Sequence, residues 1–306
     1  MGYFTTEEVE MGLNENGEAG KWGFETDEIV GYIQPDGDRH GIKELTHKPS
    51  GVQVVHPKYD VFNLFFMFST NHCMGTARDN KRTIEMDDET IEIHWEPTED
   101  HKAEITAKYE VVKPNIIDLS ITVHSNWPYP GYEVFLSNYF HRSLKPHVYV
   151  QGSPFDDPAD KARWIAPQVN DVFVGTGLVF SRDQHAARRS VDGRWDRIWG
   201  LYQWNPQRYF EFPVIMSVDA EKGVAAVLMS RPEDCYAVIS GYDSDNDDDP
   251  FADQNPLYMS LFGDDFRVSD ERTVEVRFAV TEIDEAMSQP LGLYESFLVE
   301  KGTTLF

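Results

Sequence analysis

The chain is poor in cysteine, in basic residues and in long apolar runs, and each shortage closes off a class of protein. Cys73 and Cys235 are its two cysteines in 306 residues, and they form no CxxC step. So few thiols suggest neither a disulfide framework nor a cysteine-held metal, and two buried free thiols are the expectation. Lys and Arg together number 27 against 53 Asp and Glu, a formal net charge of −26. That field repels a nucleic-acid duplex and an anionic bilayer alike, so neither is expected as a partner. The longest apolar run, Val61 to Phe68, is interrupted by Asn63 and falls far short of the roughly 20 residues that cross a bilayer as a helix. The opening residues, MGYFTTEEVEMG, lack the basic stretch and apolar core of a secretory signal, which makes the cytoplasm the default location. A Gly-rich phosphate loop, a dinucleotide fingerprint, a nucleophile elbow and an HExxH helix are all missing, so no cofactor and no metal are expected.

What is present points to strands. At 41% hydrophobic residues, with 19 Phe, 14 Tyr and 7 Trp, the chain can bury a substantial core. Residues 1–27 are acidic, Gly-rich and without periodicity, and read as an amino-terminal arm. Beyond them short alternating runs recur, separated by turn chemistry. Ile117, Leu119, Ile121 and Val123 fall on every second position, the period of a half-buried strand. Strands follow strands with no room for crossover helices, so antiparallel pairing is the economical topology. The segment Arg182 to Trp195 is basic and predicts a short helix as far as Ser190. Asp284 to Glu300 predicts a longer one, with Pro290 placed to divide it. The fold class expected is all-β, a large antiparallel two-sheet sandwich with a short carboxyl-terminal helix, formed by residues 28–306 as one domain.

Two kinds of residue carry chemistry. Sugar sites use flat aromatic faces for C–H surfaces, with amides, acids and arginines for hydroxyls. Trp195 to Tyr209 gathers three Trp, two Tyr, two Gln, one Asn and two Arg, and from it Trp199, Tyr202, Trp204 and Arg208 are candidate substrate-binding residues. The same rings would serve equally as filling between a sheet and the last helix. Proton transfer near neutrality favours histidine. His72 stands in a polar break after an apolar strand; His141, with Arg142 beside it, follows a strand end. Glu211, inside Tyr209-Phe210-Glu211-Phe212, is either a solvated strand residue or an acid held in a cleft. The run Asp243 to Asp249 offers oxygen ligands but misses the EF-hand pattern, and a solvated acidic turn is the simpler reading.

Three short segments resemble the galactose mutarotase-like superfamily of aldose epimerases, hexose-phosphate epimerases and domains of polysaccharide-degrading enzymes. His40-Gly41-Ile42-Lys43-Glu44-Leu45 followed by Pro49-Ser50-Gly51-Val52 is similar to that family's opening hairpin. Gly75-Thr76-Ala77-Arg78 resembles a segment lining the epimerase sugar site, which implies a substrate-binding role for Arg78. Ser137-Asn138-Tyr139-Phe140-His141 resembles a segment in which Asn or His precedes Tyr-Phe, which implies roles for Tyr139 and His141. Two departures stand out. Asn138 occupies the place of the epimerases' catalytic histidine, and the carboxyl-terminal catalytic glutamate has no match. The resemblance runs over nearly the whole chain by layout and implies a supersandwich acting on a sugar or oligosaccharide. His141 would then work against His72 or Glu211 as a general acid–base pair, in an epimerase, a lyase or a hydrolase. The alternatives are a non-catalytic carbohydrate-binding module, or an assembly protein with these aromatics at a subunit contact; a homo-oligomer is left open.

Overall fold

The computed structural model describes residues 14–15, 20–70, 72–87, 89–153, 159–167, 176–190, 194, 202–204, 208–241 and 255–303. Strands dominate, and they assemble into three sheets. The amino-terminal sheet has five strands in sequence order: β1 (Asn14–Glu15), β2 (Trp22–Glu25), β3 (Ile29–Gln34), β4 (Gly41–His47) and β5 (Val52–Gln53). Its first two strands lie inside the segment expected to be an arm. Trp22–Glu25 is a strand because it pairs residue by residue with Ile33 to Val30 and buries Phe24.

The second sheet has seven strands in the order β16 (Tyr202–Trp204), β15 (Thr176–Ser181), β19 (Cys235–Ser240), β20 (Pro256–Phe262), β12 (Glu133–Tyr139), β6 (Asn63–Ser69) and β7 (His72–Cys73). The third has nine: β14 (Arg163–Ile165), β13 (Lys145–Val150), β17 (Phe210–Asp219), β18 (Val224–Ser230), β21 (Glu271–Glu282), β11 (Ile116–Ser125), β10 (Ala103–Val112), β9 (Thr90–Trp95) and β8 (Arg82–Met86). Every strand pairing among the described residues is antiparallel except β15 with β16. This is the all-β sandwich the alternation predicts, with the five-stranded sheet as an addition to it.

In β11 the residues Ile117, Leu119, Ile121 and Val123 are buried while their neighbours are half-exposed, so one face enters the core and the other does not. The main core lies between the sheets. Phe62 and Phe140 each place a ring 6.1 Å from the ring of Phe278 on β21, joining the seven-stranded side to the nine-stranded one. Helix α2 (Gln289–Glu300) covers the far face of the nine-stranded sheet, packing Tyr294, Phe297 and Leu298 on Val214, Met216 and Val227. It starts five residues later than expected. The Asp284 carboxylate accepts the backbone N–H and the hydroxyl of Ser288 and so closes a separate turn. Pro290 falls in the helix's first turn, where a missing N–H costs no hydrogen bond. A second helix, α1 (Gln184–Ser190), ends where expected. Cys73 and Cys235 are both free thiols, the first half-buried. Among the described residues no helix is long and apolar enough to cross a membrane.

Candidate functional site

Strand β12 has two faces with different tasks. Val134 and Leu136 point into the main core, whereas Phe135 belongs to a second cluster with Phe68, Tyr236, Ile239 and Tyr258. By the strand period Glu133, Ser137 and Tyr139 share the Phe135 face. This outer face of the seven-stranded sheet is thus aromatic rather than solvated, and its two ends differ.

At one end, Glu133 is fully buried beneath Arg194. The Arg194 guanidinium stands 2.5 Å from the Glu133 carboxylate and also donates to Gly131 O at 2.7 Å, while Ser260 donates to the other carboxylate oxygen at 2.7 Å. Both side chains of the ion pair are 0% exposed. Charge neutralisation and full hydrogen bonding together make such burial tolerable. That end is a structural anchor.

At the other end four segments converge. Tyr139 closes β12, and its hydroxyl lies 3.4 Å from that of Tyr258 on β20. Residues 56–60 pass alongside: His56 N donates to Tyr139 O, and Tyr139 N donates to Asp60 O. This lays the Tyr59 ring 4.8 Å from the Tyr139 ring and 4.8 Å from the His56 ring. Arg39 comes from the turn before β4 and sets its guanidinium 4.2 Å over Tyr59. Gly41 makes that approach achievable: at φ 133, any Cβ there would sit 2.3 Å from Val61 O. On the other flank, the chain leaving β7 folds back along β6 through Met74 N to Met67 O and Met67 N to Gly75 O. The short 3-10 turn Ala77–Asp79 then carries Arg78 to within 5.3 Å of the Phe65 ring. Phe65 is the extra residue where β6 loses register against β12, so it and Phe66 both join the outer cluster. Half-exposed rings therefore stand beside both arginines, Phe65 and Phe66 with Arg78, Tyr139 and Tyr59 with Arg39.

Protonation states follow from burial. Desolvation raises the Tyr139 phenol above the ordinary tyrosine value, against the lowering pull of the Tyr258 hydrogen bond and of Arg39. Tyr258 is raised further, again by burial. Both are neutral donors at physiological pH. His56 accepts the Lys58 N–H at Nδ1 over 2.9 Å, so the neutral ring carries its proton on Nε2. His40, behind Arg39, is wholly buried and is driven down to about 3, first by desolvation and then by Arg82 and Arg78. Its Nε2 accepts the Leu64 N–H at 3.0 Å, a structural task.

The expected residues fall in different places. Tyr139 and Arg78 are part of the cluster. His141 begins the next turn, where its Nδ1 is held by Ser143, and Arg142 is exposed. His72 is exposed at the sheet edge opposite Ser69, and Phe68 faces Glu133. Six residues separate that end of β12 from Tyr139, about 20 Å at the rise of an extended strand. Glu211 is exposed on β17 of the other sheet. His141, His72 and Glu211 do not converge on one centre, because strand direction and sheet membership separate them. Asn138, in the place of the epimerases' histidine, turns inward: its amide accepts Phe62 N–H at 3.0 Å and donates to Leu257 O at 3.2 Å. Arg208 is half-buried ahead of β17. Trp199, the side chains of Tyr202 and Trp204, and Asp243 to Asp249 lie outside the described residues. Arg194 and Tyr209, which bridges to Ser181, both touch strands of this sheet. Among the described residues no three His, Cys, Asp or Glu side chains gather as a metal site.

Sequence reasoning missed Arg39, His56, Tyr59, Phe65 and Tyr258. The one available signal was the Phe65-Phe66 doublet, which breaks the strand alternation.

No family model matches the chain, and no curated protein does. Solved structures do. A protein from Escherichia coli K12, provisionally assigned as an aldose 1-epimerase, aligns with a TM-score of 0.52 at 8% identity, over 86% of this chain and 99% of that one. A galactose 1-epimerase from Lactobacillus acidophilus NCFM aligns at 0.47 and 8% identity, over 86% and 94%. A TPR-domain-containing protein from Parabacteroides distasonis ATCC 8503 aligns at 0.49 and 8% identity over 94% of this chain. This chain spans about half of that protein's length, 55%. At these identities the likeness is one of fold. The chain has the galactose mutarotase-like fold.

Proposed function

We propose that this chain is a carbohydrate-active protein that takes a saccharide on the outer face of the seven-stranded sheet and acts on it by proton transfer at a sugar carbon. One observation carries the reading: the paired Tyr139 and Tyr258 hydroxyls stand on an aromatic face that also carries Arg39 over Tyr59 and Arg78 over Phe65. Ring faces suit the C–H surfaces of a sugar, and guanidinium forks suit its oxygens. A neutral, desolvated tyrosine is a proton donor, and His56, one ring away across Tyr59, supplies the imidazole that such chemistry calls for. His56 thus takes the place that His141 holds in the sequence-based expectation. The decisive experiment is a screen of free sugars and acidic polysaccharides, with both anomers and any unsaturated product followed by NMR. Faster anomer exchange, epimerisation or chain cleavage supports the reading, and inertness toward the whole panel overturns the catalytic part.

A second reading, a saccharide-binding module without turnover, is favoured by a different observation. The buried carboxylates nearest this face are already engaged, Glu133 with Arg194 and Asp60 with Lys43 at 3.2 Å. Binding without conversion of any ligand in the same screen would establish it.

A further inference from the structure

Nearly every cation near this face has a committed partner. Arg82 is held by Asp36 and by Gly37 O, Lys43 by Asp60 and Arg194 by Glu133. Elsewhere Arg231 is paired with Asp234, and Arg277 with Asp118 and Glu300. Arg39 and Arg78 are exceptions, as is the exposed Lys58 beside Tyr59. Among the described residues Arg39 makes no ion pair and no hydrogen bond; its guanidinium lies over Tyr59, 4.2 Å from the ring centroid. Arg78 rests over Phe65, and its one ion-pair contact is 4.0 Å from Nε to Asp79, whose side chain is 73% exposed. The sequence has nearly two acidic side chains for each basic one. In such a chain, two arginines with no carboxylate within hydrogen-bonding distance, each set over an aromatic ring, mark a place kept for an anion. Both charges act on the Tyr139 phenol and pull it downward.

We propose that the saccharide bound here carries an anionic group, and that Arg39 and Arg78 select for it. The inference rests on the saccharide reading above and narrows it to one chemical class: sugars bearing a carboxylate, sulfate or phosphate. A guanidinium stacked on a ring keeps its planar fork of N–H donors directed outward, the geometry that meets such groups two bonds at a time. Selection has to come from these short bonds, because the chain's overall field repels anions at long range. The half-exposed rings beside the arginines fit a sugar face and give inorganic phosphate or sulfate nothing to stack upon.

The test is calorimetric titration of the full chain at about 0.15 M salt with matched pairs that differ in the anionic group alone. Galactose is set against galacturonate, and glucose against glucose 6-phosphate, with short chondroitin fragments in sulfated and desulfated form. Inorganic phosphate and sulfate serve as the anion controls. At least one anionic member is expected to bind about tenfold or more tightly than its neutral parent and than the free anion. In Arg39→Gln and Arg78→Gln that ratio is expected to fall severalfold. Arg39→Lys, which keeps the charge but loses the fork, is expected to fall between. Equal affinity for neutral and anionic partners, or ratios unmoved in both glutamine variants, overturns the selectivity and leaves the saccharide reading standing. Free anion binding as well as anionic sugar also overturns it. No binding by any sugar, neutral or charged, removes the saccharide reading along with it. Because the ratio in the unaltered protein is itself diagnostic, the test does not depend on the variants folding.

Discussion

The hydroxyls of Tyr139 and Tyr258 lie 3.4 Å apart on neighbouring strands of one sheet, with the Arg39 charge acting on both. Burial keeps both protonated, so Tyr258 can donate to the Tyr139 oxygen from behind while Tyr139 donates outward. On a substrate found by the screen, Tyr139→Phe is expected to lower turnover roughly 10²-fold or more, the scale of a lost general acid. Tyr258→Phe, one step removed, should cost less. Thermal melting is expected to stay nearly unchanged in both, since each loses a long hydrogen bond and keeps its ring. Full turnover in Tyr139→Phe would exclude the phenol from the chemistry.

Asn138 holds three segments together from inside the sheet. Its amide accepts from Phe62 N and donates to Leu257 O, and Phe62 O in turn accepts from the Tyr109 hydroxyl at 2.7 Å. Phe62 needs this support, since φ 64 places a bulky residue in the left-handed region, a conformation that costs on the order of 1–3 kcal/mol. Asn138→Leu strands buried polar groups on both neighbours. Urea unfolding is expected to show a loss of roughly 2–4 kcal/mol, the sum over two unsatisfied groups. A loss under about 1 kcal/mol would mean that the clamp contributes little.

The fold was legible because burial and period coincide: β11 alternates in sequence as it does in exposure. The helix start was misplaced because Asp284 and Ser288 close their own turn, a local bond that apolar periodicity does not register. Of the candidate cluster, the sequence pointed to Tyr139 and Arg78 alone, through short likenesses to known segments. Arg39, Tyr59 and Tyr258 come from distant segments of the chain, and the register of β6, β12 and β20 alone brings them together. An isolated polar residue such as His141, at a strand end, looks the same in sequence whether its ring meets a ligand or its own turn.

The buried histidines give stability a pH dependence of known sign. His40 is depressed to about 3 and His101 to about 4, both by burial, whereas an unfolded histidine titrates near 6.5. Below pH 6.5 the unfolded chain takes up these protons and the folded one does not. Each histidine's contribution is therefore present above pH 6.5 and lost as pH falls toward its folded value. The slope is about 1.4 kcal/mol per pH unit per histidine. Raised carboxyls at Asp60 and Asp234 act in the opposite sense and offset part of the loss at the acid end. Subtracting the urea-derived stability of His40→Gln from that of the unaltered protein isolates one histidine. The difference is expected to shrink by about 1.4 kcal/mol per unit between roughly pH 6 and pH 4. A difference that stays constant over that range would place a proton on His40 in the folded state.

Glu133 and Arg194 test whether the far end of the aromatic face is an anchor. Both side chains are fully buried, and they are 2.5 Å apart. Removing one partner leaves a charge in the interior, so Arg194→Met is expected to cost about 3–5 kcal/mol. Removing both charges in Glu133→Gln with Arg194→Met should restore part of that loss, because the desolvation cost vanishes with the pair. The restored part, read from a double-mutant cycle in urea, is the coupling energy. Arg194 also stands at the far end of the face proposed to take a saccharide. If that far end takes part in the proposed binding, the double variant will fold yet bind sugar more weakly than the unaltered protein. If it binds as well as the unaltered protein, the ion pair serves stability alone, and recognition rests on the Tyr139 end.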